Sequence, residues 1–134
     1  MTDHPSRGRI LIVEDNEKNL KLVRDLLEFE GYEIIEARNA ATGVALAAEE
    51  QPNLILMDVG LPDFDGVAAL GRLRSDRRTA SIPVLAVTAY AMADDRRRLL
   101  DAGFDGYIEK PIDVRRFQEE VRAMLRSSRP EATT

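Results

Sequence analysis

Three acids, one hydroxyl and one amine stand out in this chain because each lies within two residues of the end of a short apolar run. Ile10-Leu11-Ile12-Val13 leads into Glu14 and Asp15, Leu54-Ile55-Leu56-Met57 into Asp58, and Val84-Leu85-Ala86-Val87 into Thr88. A shorter run, Tyr107-Ile108, is followed by Lys110-Pro111. If these runs are parallel strands, all five polar groups gather at one edge of one sheet. That edge, outside the strand carboxyl ends, is where open α/β folds bind ligands. Carboxylates, a hydroxyl and an ammonium in one cleft are the parts of a divalent-metal, phosphoryl-transfer site. A single acid after a strand is common, since it caps the next helix. Capping does not explain the whole set.

Carboxylates this close repel. At about 5 Å and an effective dielectric of about 20, each pair costs about 3 kcal/mol. Lys110 supplies one compensating charge. A hard divalent cation supplies two more, and Mg²⁺ suits an oxygen-only cluster, with Mn²⁺ as a substitute.

The elements that must position these groups follow from hydrophobic periodicity. Short apolar strands alternate with helix-like segments, which predicts an α/β fold with a buried parallel sheet. The strands are expected at residues 9–13, 32–37, 54–57, 84–87 and 106–109. The helices are expected at about 17–30, 40–50, 66–76, 93–102 and 114–127. Leu20, Val23 and Leu27 share a face of the first helix, and Gly31 stops it. Asn39 is the expected cap of the second helix. Val67, Leu70 and Leu73 are expected to face inward from the third. Gly103 stops the fourth, and Asp113 caps the fifth, which turns Phe117, Val121 and Leu125 inward.

The 134 residues fit one domain with a single core. A net charge of −5 disfavours wholesale nucleic-acid binding. There are no cysteines, so a disulfide scaffold and a thiolate metal site are excluded, and with one histidine, His4, in a polar leader a His-based triad is not expected. No apolar stretch approaches the roughly 20 residues of a membrane span. Residues 1–8 lack the apolar segment of a signal peptide, and a cytoplasmic location is expected. Residues 1–8 and 128–134 are polar and expected to be flexible tails around a domain at 9–127. No output domain fits in the remainder, so any output should come from this domain's own surface.

Glu14-Asp15, Asp58, Thr88-Ala89 and Lys110-Pro111, each after a strand, resemble the receiver domain of two-component response regulators. The resemblance covers Arg9 to Leu125. Ile12-Val13-Glu14-Asp15-Asn16 and Leu56-Met57-Asp58 look like the stand-alone regulators of the DivK kind. The implied fold is the flavodoxin-like receiver fold: a doubly wound, five-stranded parallel sheet in order 2-1-3-4-5 with five helices.

The resemblance also implies roles. Asp58 is the phosphoacceptor, attacking a phosphohistidine on a sensor histidine kinase or a histidine phosphotransfer protein. Mg²⁺ is held by Asp15, Asp58, the main-chain carbonyl of Gly60 and, through water, Glu14. Lys110 and Thr88 bind phosphoryl oxygens, and the Lys110-Pro111 bond is cis. Thr88 and Tyr107 form a switch that alters the face made by the fourth helix and fifth strand. Gly60 and Tyr90 occupy positions that modulate hydrolysis of the phosphoryl group. Leu61 to Gly66 look like the loop after the phosphoacceptor, in which Asp63 and Asp65 are not expected ligands. Arg96, Arg97 and Arg98 read as a solvated helix face or as part of a partner surface. Arg72, Arg74, Arg77 and Arg78 read as scattered and solvated.

Other classes fit less well. A phosphatase of the haloacid dehalogenase class needs a second Asp two residues after the first, where this chain has Gly60. A flavodoxin-like cofactor carrier needs a Ser/Thr/Gly cradle after the first strand, where Glu14 and Asp15 would repel phosphate. A pseudo-receiver that binds partners independently of phosphorylation would lack the chemistry, and here the set of residues is intact. Within the receiver reading, the chain acts either as a phosphoryl shuttle or as a module that docks on an effector such as a kinase. No membrane insertion or direct nucleic-acid binding is expected.

Overall fold

The computed structural model describes residues 8–59, 66–89 and 93–127. The expected tails, apart from Gly8, lie outside them. The alternation of apolar and amphipathic segments becomes β1 (Arg9–Val13), α1 (Glu17–Phe29), β2 (Glu33–Ala37), α2 (Ala40–Glu50), β3 (Leu54–Asp58), α3 (Gly66–Ser75), β4 (Val84–Thr88), α4 (Ala93–Ala102), β5 (Gly106–Glu109) and α5 (Val114–Ser127). The five strands form one sheet in the order β2-β1-β3-β4-β5. Every pairing is parallel. This is the expected architecture, and the boundaries agree within a residue or so.

The β period of two divides the apolar residues between the two faces of the sheet. Leu11, Val13, Ile55, Met57, Val84 and Ala86 pack on one face with α2, α3 and α4 residues, among them Ala47, Leu70, Leu73 and Leu99. Ile10, Ile12, Leu54, Leu56, Leu85 and Val87 pack on the other with Leu20, Val23 and Leu27 of α1 and Phe117 and Val121 of α5. The strands are continuous apolar runs because both faces are covered.

Local signals set the helix ends. The side chains of Asn16, Asn39 and Asp113 accept hydrogen bonds from the N–H groups of Asn19 (3.0 Å), Thr42 (2.8 Å) and Arg116 (3.1 Å) at the starts of α1, α2 and α5. Gly31 and Gly103, just past α1 and α4, have φ of 96° and 113°, a conformation that costs glycine nothing.

Two sequence expectations are corrected. Val67 is 42% exposed, while Ala69, Leu70 and Leu73 are buried. At 100° per residue, Val67 lies about a third of a turn from the centre of the arc those three define. Arg74 is not a solvated arginine. Its guanidinium donates to the carbonyls of Ala80 (3.1 Å), Ile82 (2.7 Å) and Gly103 (3.2 Å) and to Asp105 Oδ2 (2.9 Å). Asp105 Oδ2 also accepts from the Val84 N–H at 2.8 Å. One side chain thus joins the end of α3, the end of α4 and the starts of β4 and β5.

Candidate functional site

Asp58 and Thr88 are the last residues of β3 and β4. Their backbones are therefore fixed by the sheet, with Asp58 opposite Val87 and Thr88 opposite Glu109. The ladder runs one step beyond the strands at the other positions. The Glu14 N–H donates to Ala37 O at 3.0 Å, the Val59 N–H to Val87 O at 3.1 Å and the Lys110 N–H to Thr88 O at 2.8 Å. Lys110 and Pro111 are joined by a cis peptide bond.

The side chains converge at this edge. One carboxylate oxygen from each of Glu14, Asp15 and Asp58 lies within 4.8 Å of the other two. Lys110 Nζ stands 3.3 Å from Asp58 Oδ2 and 3.3 Å from Glu14 Oε1. Glu14, Asp58 and Thr88 are buried, whereas Asp15 is exposed. Adjacent residues at the end of β1 thus serve the cluster from inside and from its solvent rim.

Burial is the main reason the Glu14 pKa is pushed up to about 7, and its hydrogen bond and repulsion with Asp58 add to the rise. The Asn16 N–H, 3.1 Å from Glu14 Oε2, and the charge of Lys110 oppose the shift. At Lys110, burial alone would lower the pKa. The charges of Asp58 and Glu14 outweigh it and hold the ammonium above its ordinary range.

An octahedral Mg²⁺ takes oxygens about 2.0–2.1 Å away, hence about 3–4 Å from one another. The three carboxylates converge to within 4.8 Å and are hard donors, so these residues fit such an ion. Among the described residues, this is the one group of acids close enough to hold a metal.

Beside the cleft, Tyr107 is half-buried in β5 and packs on the α2–α3–α4 side of the sheet. It pairs opposite Ala86, two residues before Thr88. The guanidinium of Arg96 on α4 stands over its ring, 5.6 Å from the centroid. Arg96 Nη2 also approaches Glu109 Oε2 at 3.9 Å. No periodicity signals this pairing, because it links an exposed helix position to a strand by geometry alone. Gly60, Tyr90 and the segment from Leu61 to Asp65 lie outside the described residues.

The comparisons with known proteins agree with this geometry. The model of the response regulator receiver domain matches residues 10–122. The polar-differentiation response regulator DivK of Brucella anthropi is 47% identical over 116 residues, 87% of this chain and 94% of that protein. DivK of Brucella ovis matches to the same extent. Among solved structures, a CheY-like receiver domain protein from Methanospirillum hungatei superposes with a TM-score of 0.83 at 36% identity, covering 92% of this chain and 97% of that one. The receiver domain of a Pseudomonas aeruginosa sensor histidine kinase, with a magnesium ion coordinated in its active-site cleft, gives 0.82 at 30% identity, covering 88% and 97%. With the sheet order, the acid cluster and the lysine all in place, this chain belongs to the response regulator receiver domain family.

Proposed function

We propose that the protein accepts a phosphoryl group on Asp58 from a phosphohistidine of a sensor histidine kinase or histidine phosphotransfer protein, and signals through the α4–β5 face. The observation that carries this reading is the position of Lys110 Nζ, 3.3 Å from both Asp58 and Glu14 beside a triad of carboxylates.

An Asp58 carboxylate oxygen forms the new O–P bond as the P–N bond of the donor breaks, and the imidazole nitrogen keeps the electron pair. Lys110 pairs with a phosphoryl oxygen, and the Thr88 hydroxyl donates a hydrogen bond to another. Both groups act where charge develops in the transition state. Asp15, Asp58 and Glu14 are the residues that would hold Mg²⁺, in line with the magnesium in the Pseudomonas aeruginosa relative. When bound, the ion neutralises charge on the transferring phosphoryl group.

Movement of the Thr88 hydroxyl toward the phosphoryl group changes the space beside Tyr107, and the α4–β5 face then presents a different surface to partner proteins. This is a shift between two populations of one fold. The likeness to DivK supports the role of an effector-docking regulator. The absence of cysteine fits action in the reducing cytoplasm.

The test is intact mass after incubation with acetyl phosphate, with and without Mg²⁺, for wild type and Asp58→Asn. A Mg²⁺-dependent gain of one phosphoryl group, absent in the variant, is the expected result. Failure to label with acetyl phosphate and with a panel of phosphorylated histidine kinases would overturn the reading in favour of a binding-only module.

A further inference from the structure

The face beside the site has a feature that the phosphoryl chemistry does not require. Arg96 reaches from α4 to β5 and engages two side chains there. Its guanidinium covers the Tyr107 ring at 5.6 Å and approaches the Glu109 carboxylate at 3.9 Å. Tyr107 and Glu109 alternate with Ile108, so both project from the same side of the strand. Glu109 stands opposite Thr88 in the ladder, and Tyr107 stands opposite Ala86. One arginine therefore ties α4 to the two β5 residues that stand opposite Ala86 and Thr88.

This tie bears on α4 because few of the helix's described side chains are buried. Among its described side chains Leu99 is the buried apolar one, and Leu100 is 47% exposed. α1, by contrast, buries Leu20, Val23 and Leu27. At its other end α4 is followed by Gly103, whose carbonyl accepts from Arg74. The helix is thus pinned at its carboxyl end and held near its start by a polar contact. Elements with few buried apolar contacts open at low free-energy cost, so a single contact can set their population.

We propose that Arg96 is a positioning residue that latches α4 over Tyr107 and so sets how readily the domain enters its phosphorylated-state conformation. The inference rests on the reading of Asp58 as phosphoacceptor and of Tyr107 as part of the switch. Rearrangement of Tyr107 and α4 separates the Arg96 guanidinium from the ring. The latch therefore favours the arrangement described above, and its removal shifts the population toward the other one. By linkage, anything that binds that other state then binds more tightly.

The experiment uses the full chain with Mg²⁺ and beryllofluoride, a stable mimic of the aspartyl phosphate. Binding is followed by NMR or by thermal shift in wild type, Arg96→Ala, Arg96→Lys and Tyr107→Leu. Arg96→Ala is expected to bind beryllofluoride about two- to fivefold more tightly, the effect of losing one partly exposed cation–π pair. Arg96→Lys retains a cation above the ring and should return to the wild-type value. Tyr107→Leu removes the ring and leaves Glu109, so adding Arg96→Ala to it should change the affinity less than it does in wild type. A folded Arg96→Ala protein with wild-type or weaker affinity would overturn the latch, as would failure of Arg96→Lys to restore the wild-type value. Wild type that binds no beryllofluoride would instead overturn the phosphoacceptor reading itself, so the two failures are distinguishable.

Discussion

At Glu14, burial and the neighbouring Asp58 carboxylate favour the protonated acid, and the pKa rises from 4.5 to about 7. The unfolded chain has lost that proton by pH 5 or so, whereas the native chain still holds it. Stability of the metal-free protein should therefore fall as pH rises from about 4.5 to about 7, and level off above. Three other shifted groups among the described residues act outside this window. Hydrogen bonds from Lys21 and Arg78 lower the pKa values of Asp25 and Asp76, so their contributions change below pH 3.8. That of Lys110 changes above pH 10.5. Urea denaturation without metal should show a loss on the order of 2 kcal/mol between pH 5 and pH 8. Glu14→Gln should abolish the slope, and a flat wild-type profile would refute the buried proton. Lys110 is the cation shared by Glu14 and Asp58. Removing one donor aimed at developing charge typically costs about 10²-fold in rate. Lys110→Ala should slow labelling by acetyl phosphate to about that extent. A rate within twofold of wild type would remove the ammonium from the mechanism.

At the scale of elements, α2 lies unusually close to β1. A Cβ added to Gly43 would stand 2.7 Å from Val13 Cγ2 and 3.1 Å from Val13 Cγ1. Valine is stiff at χ1 and has little room to yield. Gly43→Ala gains at most about 1 kcal/mol of helix propensity. Overpacking costs about 1–3 kcal/mol. The variant should melt lower than wild type, and in a Val13→Ala background the same change should raise the melting temperature. Stabilisation in both backgrounds would contradict the close contact. The elements were largely legible in the sequence, because the three central strands are apolar runs and several helix ends carry an Asn, Asp or Gly signal. The gathering of Glu14, Asp58, Thr88 and Lys110 was legible for the same reason: parallel strands align their carboxyl ends. What escaped was what adjacent positions do differently. Nothing local distinguishes buried Glu14 from exposed Asp15, or engaged Arg74 from the arginines around it. The partners of Arg74 include residues 29 and 31 positions away. Val67 turns outward because the buried arc of α3 is centred on Ala69, Leu70 and Leu73, which the spacing of apolar residues alone does not specify.

For the molecule as a whole, a metal that binds the folded site and not the unfolded chain adds stability. With a Kd on the order of 1 mM, 10 mM Mg²⁺ should contribute about 1.4 kcal/mol. The melting temperature should rise by a few degrees, more than in matched Ca²⁺ or NaCl. Indifference to Mg²⁺ would contradict the metal site. The same site also spans the chain. Its groups come from positions 14, 58, 88 and 110, on four of the five strands, and β5 is the last strand to be made and sits at the sheet edge. A growing polypeptide holds Asp58 well before it holds Lys110. Until β5 joins β4, Asp58 stands without the ammonium of Lys110. On the proposed reading, full response to a phosphoryl donor arrives only with the completed fold.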